Sequence, residues 1–184
     1  MAKEGKAQEP ENSIEVCFFQ EIGVRFNSRI GGSMDAEDRF LKHWFSGVNC
    51  FIDHGSDEEV NHLLSRCAKG CSDSFSLRLY QRAFSDRNNI KDSLDYLAEH
   101  FEDFSYNILP DRIQIIYNKC GCDLYRKGLI VSKKLCICSE KSLLYNWESV
   151  FGQNKATVIR KNSILNGDES CVFEVRMDEL GHPN

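Results

Sequence analysis

The chain has 184 residues, a net charge of −5 and nine cysteines. Its length suits one domain with a real hydrophobic core, and its ordinary apolar and charged fractions exclude a wholly disordered chain. No apolar run approaches the ~20 residues that a membrane-spanning helix needs, and the scattered Lys and Arg form no basic stripe interleaved with aromatics, which argues against a nucleic-acid partner.

The opening MAKEGKAQEPEN is polar and charged. Residues 1–12 read as a disordered tail, and 13–178 as a single domain. The opening has no apolar h-region of a secretory signal, so a cytoplasmic location with reduced thiols is the expectation. SIEVCFFQEIGVRF suits helix or strand equally, and GGS at 31–33 breaks it. Phe40, Leu41, Trp44, Phe45, Val48, Phe51 and Ile52 then recur at three-and-four spacing, as an amphipathic helix requires. His54-Gly55 ends that helix, and Ser56-Asp57 can cap the next, which carries Val60, Leu63, Leu64 and Cys67 and is expected to end near AKGC. Further helical patterns follow in SFSLRLYQRAF and NIKDSLDYLAEHF.

After Phe104 the pattern changes. SYNIL and RIQIIYNK are rich in β-formers and flank Pro110-Asp111, a turn signal, so they are expected to pair as a hairpin. The cysteine-rich CGCDLYRKGLIVSKKLCIC follows. SEKSLLYNWESVFG is then predicted helical, with Ser139 as N-cap and Gly152 as its stop. ATVIRKNSIL and CVFEVRM flank NGDES as a second hairpin, with Asn166-Gly167 supplying positive φ. A helical part over about residues 34–104 is thus followed by β-β-α-β-β over about 105–178. That order predicts an α+β fold, a mainly antiparallel sheet with helices packed on one face.

The chemistry rests on three cysteine pairs. Cys120 and Cys122 are two apart, as are Cys136 and Cys138, while Cys67 and Cys71 are four apart and share a helix face. Converging thiolates are soft ligands suited to zinc or an iron–sulfur cluster, which makes Cys67, Cys71, Cys120, Cys122, Cys136 and Cys138 candidate metal ligands. The common structural-zinc spacing is Cys-x2-Cys rather than Cys-x-Cys, and free cysteine is also among the most buried residue types, so burial alone is the competing reading. Cys138 is a third possibility in itself. Just ahead of a helix N-terminus and near Lys133 and Lys134, it is the candidate reactive thiol and catalytic nucleophile. His43, His54, His62 and His100 are all distant in sequence, and no motif ties one of them to Cys138.

The segment SLLYNWESVFGQNKATVIRKNSILNGDESCVFEV resembles the C-terminal motif of the 4-vinyl-reductase-like domains and of the L-2-amino-thiazoline-4-carboxylic acid hydrolase-like proteins. Gly167, Asp168, Cys171 and Phe173 stand in phase with their Gly-Asp, two residues, Cys, any residue, Phe element. RCAKGC and LCICS are similar to the cysteine-rich elements of the hydrolase-like branch, with an Ala where that branch often has Gly. The resemblance covers roughly 67–177. It implies the α+β fold shared with trafficking-complex subunits and haem-NO-binding sensors, a homodimer, and a pocket between helices and sheet for a small molecule or metal. It does not fix an activity. Three functions follow as expectations: a cytoplasmic domain binding a small-molecule ligand or metal beside the cysteines; a hydrolase of a cyclic amidine- or thiazoline-like substrate using a Cys nucleophile or thiolate-bound zinc; or a non-catalytic interaction protein with buried cysteines.

Overall fold

A computed structural model of the chain describes residues 35–85 and 89–177. The tail, the SIEVCFFQEIGVRF segment and the GGS break lie outside the described residues. Helix α1 (Ala36–His54) starts where the Asp35 carboxylate accepts from the backbone N–H of Glu37 and Asp38 at 2.7 and 3.0 Å. It ends at Gly55, and Ser56 begins α2 (Asp57–Cys71) with a capping box to Glu59, as the Ser56-Asp57 signal predicts.

The helix expected to stop near AKGC does not stop. Gly70 is helical, and a π-helical turn, Ser72–Ser76, carries the chain directly into α3 (Leu77–Ser85). No proline interrupts this run, and a single glycine costs only about 1 kcal/mol, which packing readily offsets. The π turn inserts one extra residue and re-aims the following side chains. Helix α4 (Ile90–His100) is capped by Asn89 and leads into the sheet.

Strands β1 (Phe104–Leu109) and β2 (Arg112–Tyr117) pair antiparallel around Pro110-Asp111, with Leu109 opposite Arg112. Strands β3 (Ala156–Asn162) and β4 (Cys171–Met177) also pair, and the sheet order is β1-β2-β4-β3, antiparallel throughout. The α+β architecture is the one expected. Ile113, Ile115, Phe173 and Val175 lie on the inner face and are almost completely buried. They meet Tyr80, Phe84, Leu94, Leu97, Leu143 and Trp147 from the helices. Each such side chain contributes about 1.5–3 kcal/mol by leaving water.

Between β2 and the long helix the chain forms a short helix α5 (Asp123–Arg126) and a 3-10 turn, Lys133–Leu135, before α6 (Cys136–Phe151). Helix α6 therefore begins one turn earlier than predicted. Ser132 caps the 3-10 turn that leads into it, its hydroxyl accepting from the Lys134 N–H; α6 itself has no side-chain cap, and Ser139 lies inside the helix. Gly152, with φ of 102°, ends α6 as expected. A second hydrophobic cluster joins α1, α2 and this linker through Ile52, Val60, Leu64, Ile130, Leu135 and Leu165. The apolar stripe of α1 is only partly used: Ile52 is buried, but Phe40 and Trp44 are 64% and 60% exposed. Trp44 is therefore not a core residue among the described contacts, whereas Trp147, at 0%, is.

Candidate functional site: a cluster of thiols between two helices

Helices α2 and α6 run side by side along a seam of small residues. The Ser72 and Ser142 hydroxyls are 2.6 Å apart, and the Asn146 amide donates to the Ser76 hydroxyl at 2.9 Å. The contacts advance together along both chains, so the helices run parallel here. One turn earlier, Ala68, almost fully buried, falls opposite Cys138. Cys67 and Cys71 flank Ala68 on α2, so the seam sets Cys138 between them. Lys69 reaches across its outer edge, donating to the Tyr145 hydroxyl at 2.7 Å and to Asp73 at 3.0 Å.

The other thiols arrive on the linker. Strand β2 ends at Tyr117, so Cys120 and Cys122 are not strand residues with thiols on one side; Cys122 is instead the N-cap position of α5. Cys120, Cys122 and Cys138 all pack on the second hydrophobic cluster, which contains buried Cys136. Asn49 of α1 holds the linker in place. Its side-chain amide donates to the Leu129 carbonyl at 2.8 Å, and its side-chain oxygen accepts from the Val131 N–H at 2.9 Å. The Ser132 hydroxyl donates to the Asp53 carboxylate alongside. Neither Asn49 nor Asp53 stands out in the sequence, because a polar residue on an amphipathic helix reads as solvent-facing.

The three cysteine pairs therefore come together, and their electrostatics record it. The Cys138 thiol is pushed up to about 12, first by burial and then by the neighbouring sulfurs of Cys71, Cys67, Cys122 and Cys136. Cys71 is also raised, first by burial and then by Cys122, Asp123 and Cys67. Burial raises Cys120 as well, partly opposed by a backbone hydrogen bond from Cys122. For Cys138 the sequence expectation of an activated thiolate is reversed: inside α6, burial among like groups outweighs the helix N-terminus. Among the described residues no imidazole is seen to engage it. His62 accepts from Arg66, and His54 and His100 contact the carbonyls of Cys50 and Tyr96, each four residues away on its own helix.

Among the described residues no three His, Cys, Asp or Glu side chains are grouped so as to hold one metal ion. A cleft of about 480 Å³ opens between α1 and α2, lined by Phe51, Glu58, Glu59, His62, Leu63 and Arg66. Its walls are helical residues only, so it is not the pocket between helices and sheet that the resemblance implies. No described helix is long and apolar enough to cross a membrane.

The Gly-Asp…Cys-x-Phe element has a structural explanation. The Asp168 carboxylate accepts from the Ser163 N–H at 2.7 Å, and Gly167 turns the chain with φ of 100°. The Cys171 sulfur accepts from the Ile164 N–H at 3.4 Å, and Phe173 is core. Together they close the β3–β4 connection. The Ser163 hydroxyl, 3.0 Å from the Cys136 sulfur, ties that connection to the thiol cluster.

No protein-family model and no curated protein matches the chain. Among solved structures, the chain is similar to the trafficking protein particle complex subunit 3 from Naegleria fowleri, crystallised covalently bound to palmitic acid. The likeness is 15% identity over 78% of this chain and 96% of that one, with a TM-score of 0.39. At that level it carries no inference about chemistry. The α+β fold implied by the sequence resemblance is present; membership of the 4-vinyl-reductase-like or thiazoline hydrolase-like families gains no support from these comparisons.

Proposed function

We propose that the chain is a binding domain for a soft, thiol-seeking ligand, either an electrophilic organic group or a soft ion satisfied by two sulfurs. The observation that carries this reading is the gathering of Cys67, Cys71, Cys120, Cys122, Cys136 and Cys138 around the α2–α6 seam. A domain using cysteine only as a small hydrophobe has no need to collect six of them where two are exposed. Soft ligands bind by displacing the thiol proton, so thiols held neutral at pH 7 bind more tightly as pH rises. The hydrolase reading is weaker. It needs a thiolate or a metal-bound water, whereas Cys138 is held protonated and no imidazole among the described residues is seen to engage it.

The test is titration of the reduced protein with cadmium, a soft thiol probe, followed by its ultraviolet thiolate charge-transfer absorbance and by calorimetry. Saturable, stoichiometric binding that is lost in Cys71→Ser and Cys138→Ser supports the reading. Absence of binding, or binding unaltered in both variants, refutes it. Elemental analysis of freshly purified protein reports whether a metal is resident.

A further inference from the structure

Helix α1 leaves an apolar strip uncovered. Phe40 and Trp44, one turn apart, are 64% and 60% exposed. Further along, Phe51 lines the cleft between α1 and α2. At 3.6 residues per turn, Phe40, Trp44, Gly47, Cys50 and Phe51 fall within about 120° of the helix circumference. Gly47 adds no side chain to this strip, and a Cβ there would meet nothing within 4 Å. Single exposed apolar residues are ordinary, but a strip that joins two exposed aromatic rings to a cleft reads as a contact surface. Cys50, at its edge, is disulfide-bonded. The seven other cysteines among the described residues are all free. Of the nine in the chain this leaves Cys17, within SIEVCFFQEIGVRF, residues 13–26. That segment carries Ile14, Phe18, Phe19, Ile22 and Phe26 along its length. It also has the reach. From Ala36 to Cys50, α1 runs about 21 Å at 1.5 Å per residue, and residues 18–34 span roughly 55–60 Å when extended. The chain can turn back at Gly31-Gly32 with length to spare.

We propose that residues 13–26 cover the apolar strip of α1 and are fastened there by a Cys17–Cys50 disulfide. A second copy of the chain would bury the same strip, but a bond within one chain ties the segment to it. Closure consumes two thiols and one low-molecular-weight disulfide. The His54 imidazole, 3.8 Å from the Cys50 sulfur, is placed to take the thiol proton. The Cys50 thiolate attacks one sulfur of the small disulfide, forming a mixed disulfide and releasing one small thiolate. The Cys17 thiolate then attacks the Cys50 sulfur, forming the protein disulfide and releasing the second small thiolate. Two protein thiols are oxidised by two electrons, the external disulfide is reduced to two thiols, and the protons lost by Cys17 and Cys50 end on those products. The bond uses neither cysteine of the α2–α6 cluster, so it stands apart from the ligand reading above.

The experiment treats the folded, reduced full chain with oxidised glutathione, quenches with acid and an alkylating maleimide, and maps tryptic peptides by mass spectrometry. Trypsin isolates Cys17 in residues 7–25 and Cys50 in residues 43–66, one cysteine in each. The expected product joins these two peptides in protein of monomer mass. In Cys17→Ser it disappears and Cys50 is alkylated instead. Covering of the strip is read separately, by acrylamide quenching of Trp44, isolated as the difference between wild type and Trp44→Phe. Quenching should be weak in the full chain and rise when Phe18 and Phe19 are both replaced by Asp, with circular dichroism confirming that each variant is folded. Two alkylated peptides in the oxidised, folded wild type would overturn the proposal. So would a Cys50 bond between two chains, which assigns the strip to a second copy. Trp44 quenched as readily in wild type as in the Asp variant would show a cross-link without docking, and would overturn it equally.

Discussion

Replacing Asn49 with alanine tests how the thiol-bearing linker is held. The Asn49 side chain donates to the Leu129 and Phe45 carbonyls and accepts from the Val131 N–H. Truncation removes these linker bonds together with a longer one, 3.4 Å, donated by the Ser132 N–H to the Asn49 side-chain oxygen. A fully buried, unpartnered group costs about 1–3 kcal/mol, but this site is only partly buried, so water repays some of the loss. The expected destabilisation is about 2 kcal/mol. In a domain of this size each kcal/mol moves Tm by about 2–4 °C, so a fall of about 4–8 °C should appear in a thermal melt. Asn49→Asp keeps the acceptor for Val131 and loses the donor to Leu129, and should fall between the two. Maleimide labelling supplies the second readout: Cys120 and Cys122 should label faster in Asn49→Ala than in wild type, while Cys138, held by the helix seam, should change less. A melt unchanged to within about 1 °C with unchanged labelling would show that the linker is held by its apolar contacts alone.

The raised Cys138 thiol carries a pH signature. Its folded-state pKa, about 12, lies above the ~8.5 of an unfolded thiol. Its contribution to stability is therefore complete below about pH 8.5 and is lost as pH rises toward 12; burial, which also raises Tyr80 and Tyr117, adds to the loss at the alkaline end. The urea midpoint should fall steadily across that range in wild type and less steeply in Cys138→Ala, and a midpoint flat to pH 11 would refute the assignment. Trp147→Ala, in the aromatic contact of Tyr80, Phe84 and Phe151, should cost about 3–5 kcal/mol in urea unfolding. Asp168→Ala should cost only about 1 kcal/mol through the lost Ser163 contact and leave cadmium binding intact; loss of binding in a folded protein would give this loop a role beyond chain closure.

Local pattern was a good guide wherever local physics dominates. Ser56 followed by Glu59 marks a capping box in any context, Pro110-Asp111 turns a hairpin, and Gly152 and Gly167 take positive φ where the chain must turn. It failed where two signals compete. Gly70 reads as a stop, but the helix continues through a π turn because its far side packs on α6. Ser139 reads as a cap, but Ser132, anchored on Asp53, caps a 3-10 turn that runs straight into the helix and leaves Ser139 inside it. Phe40 and Trp44 share a stripe with Ile52, yet only the C-terminal part of that stripe meets the packed linker.

The cysteine site divides in the same way. The sequence alone determines that six thiols come in three close pairs and that each pair stands near the end of a structural element. It also contains the small residues, Ala68, Ser72 and Ser76 on one helix and Cys138 and Ser142 on the other, whose spacing of four lets two helices approach. Whether the pairs meet was decided only by tertiary structure, because the parallel seam of α2 and α6 and the Asn49 clamp on the linker join residues some 70–80 positions apart. The same packing sets the chemical state of the site. A helix N-terminus by itself favours a thiolate at Cys138, but burial among other sulfurs costs the charged form more, and the thiol stays protonated.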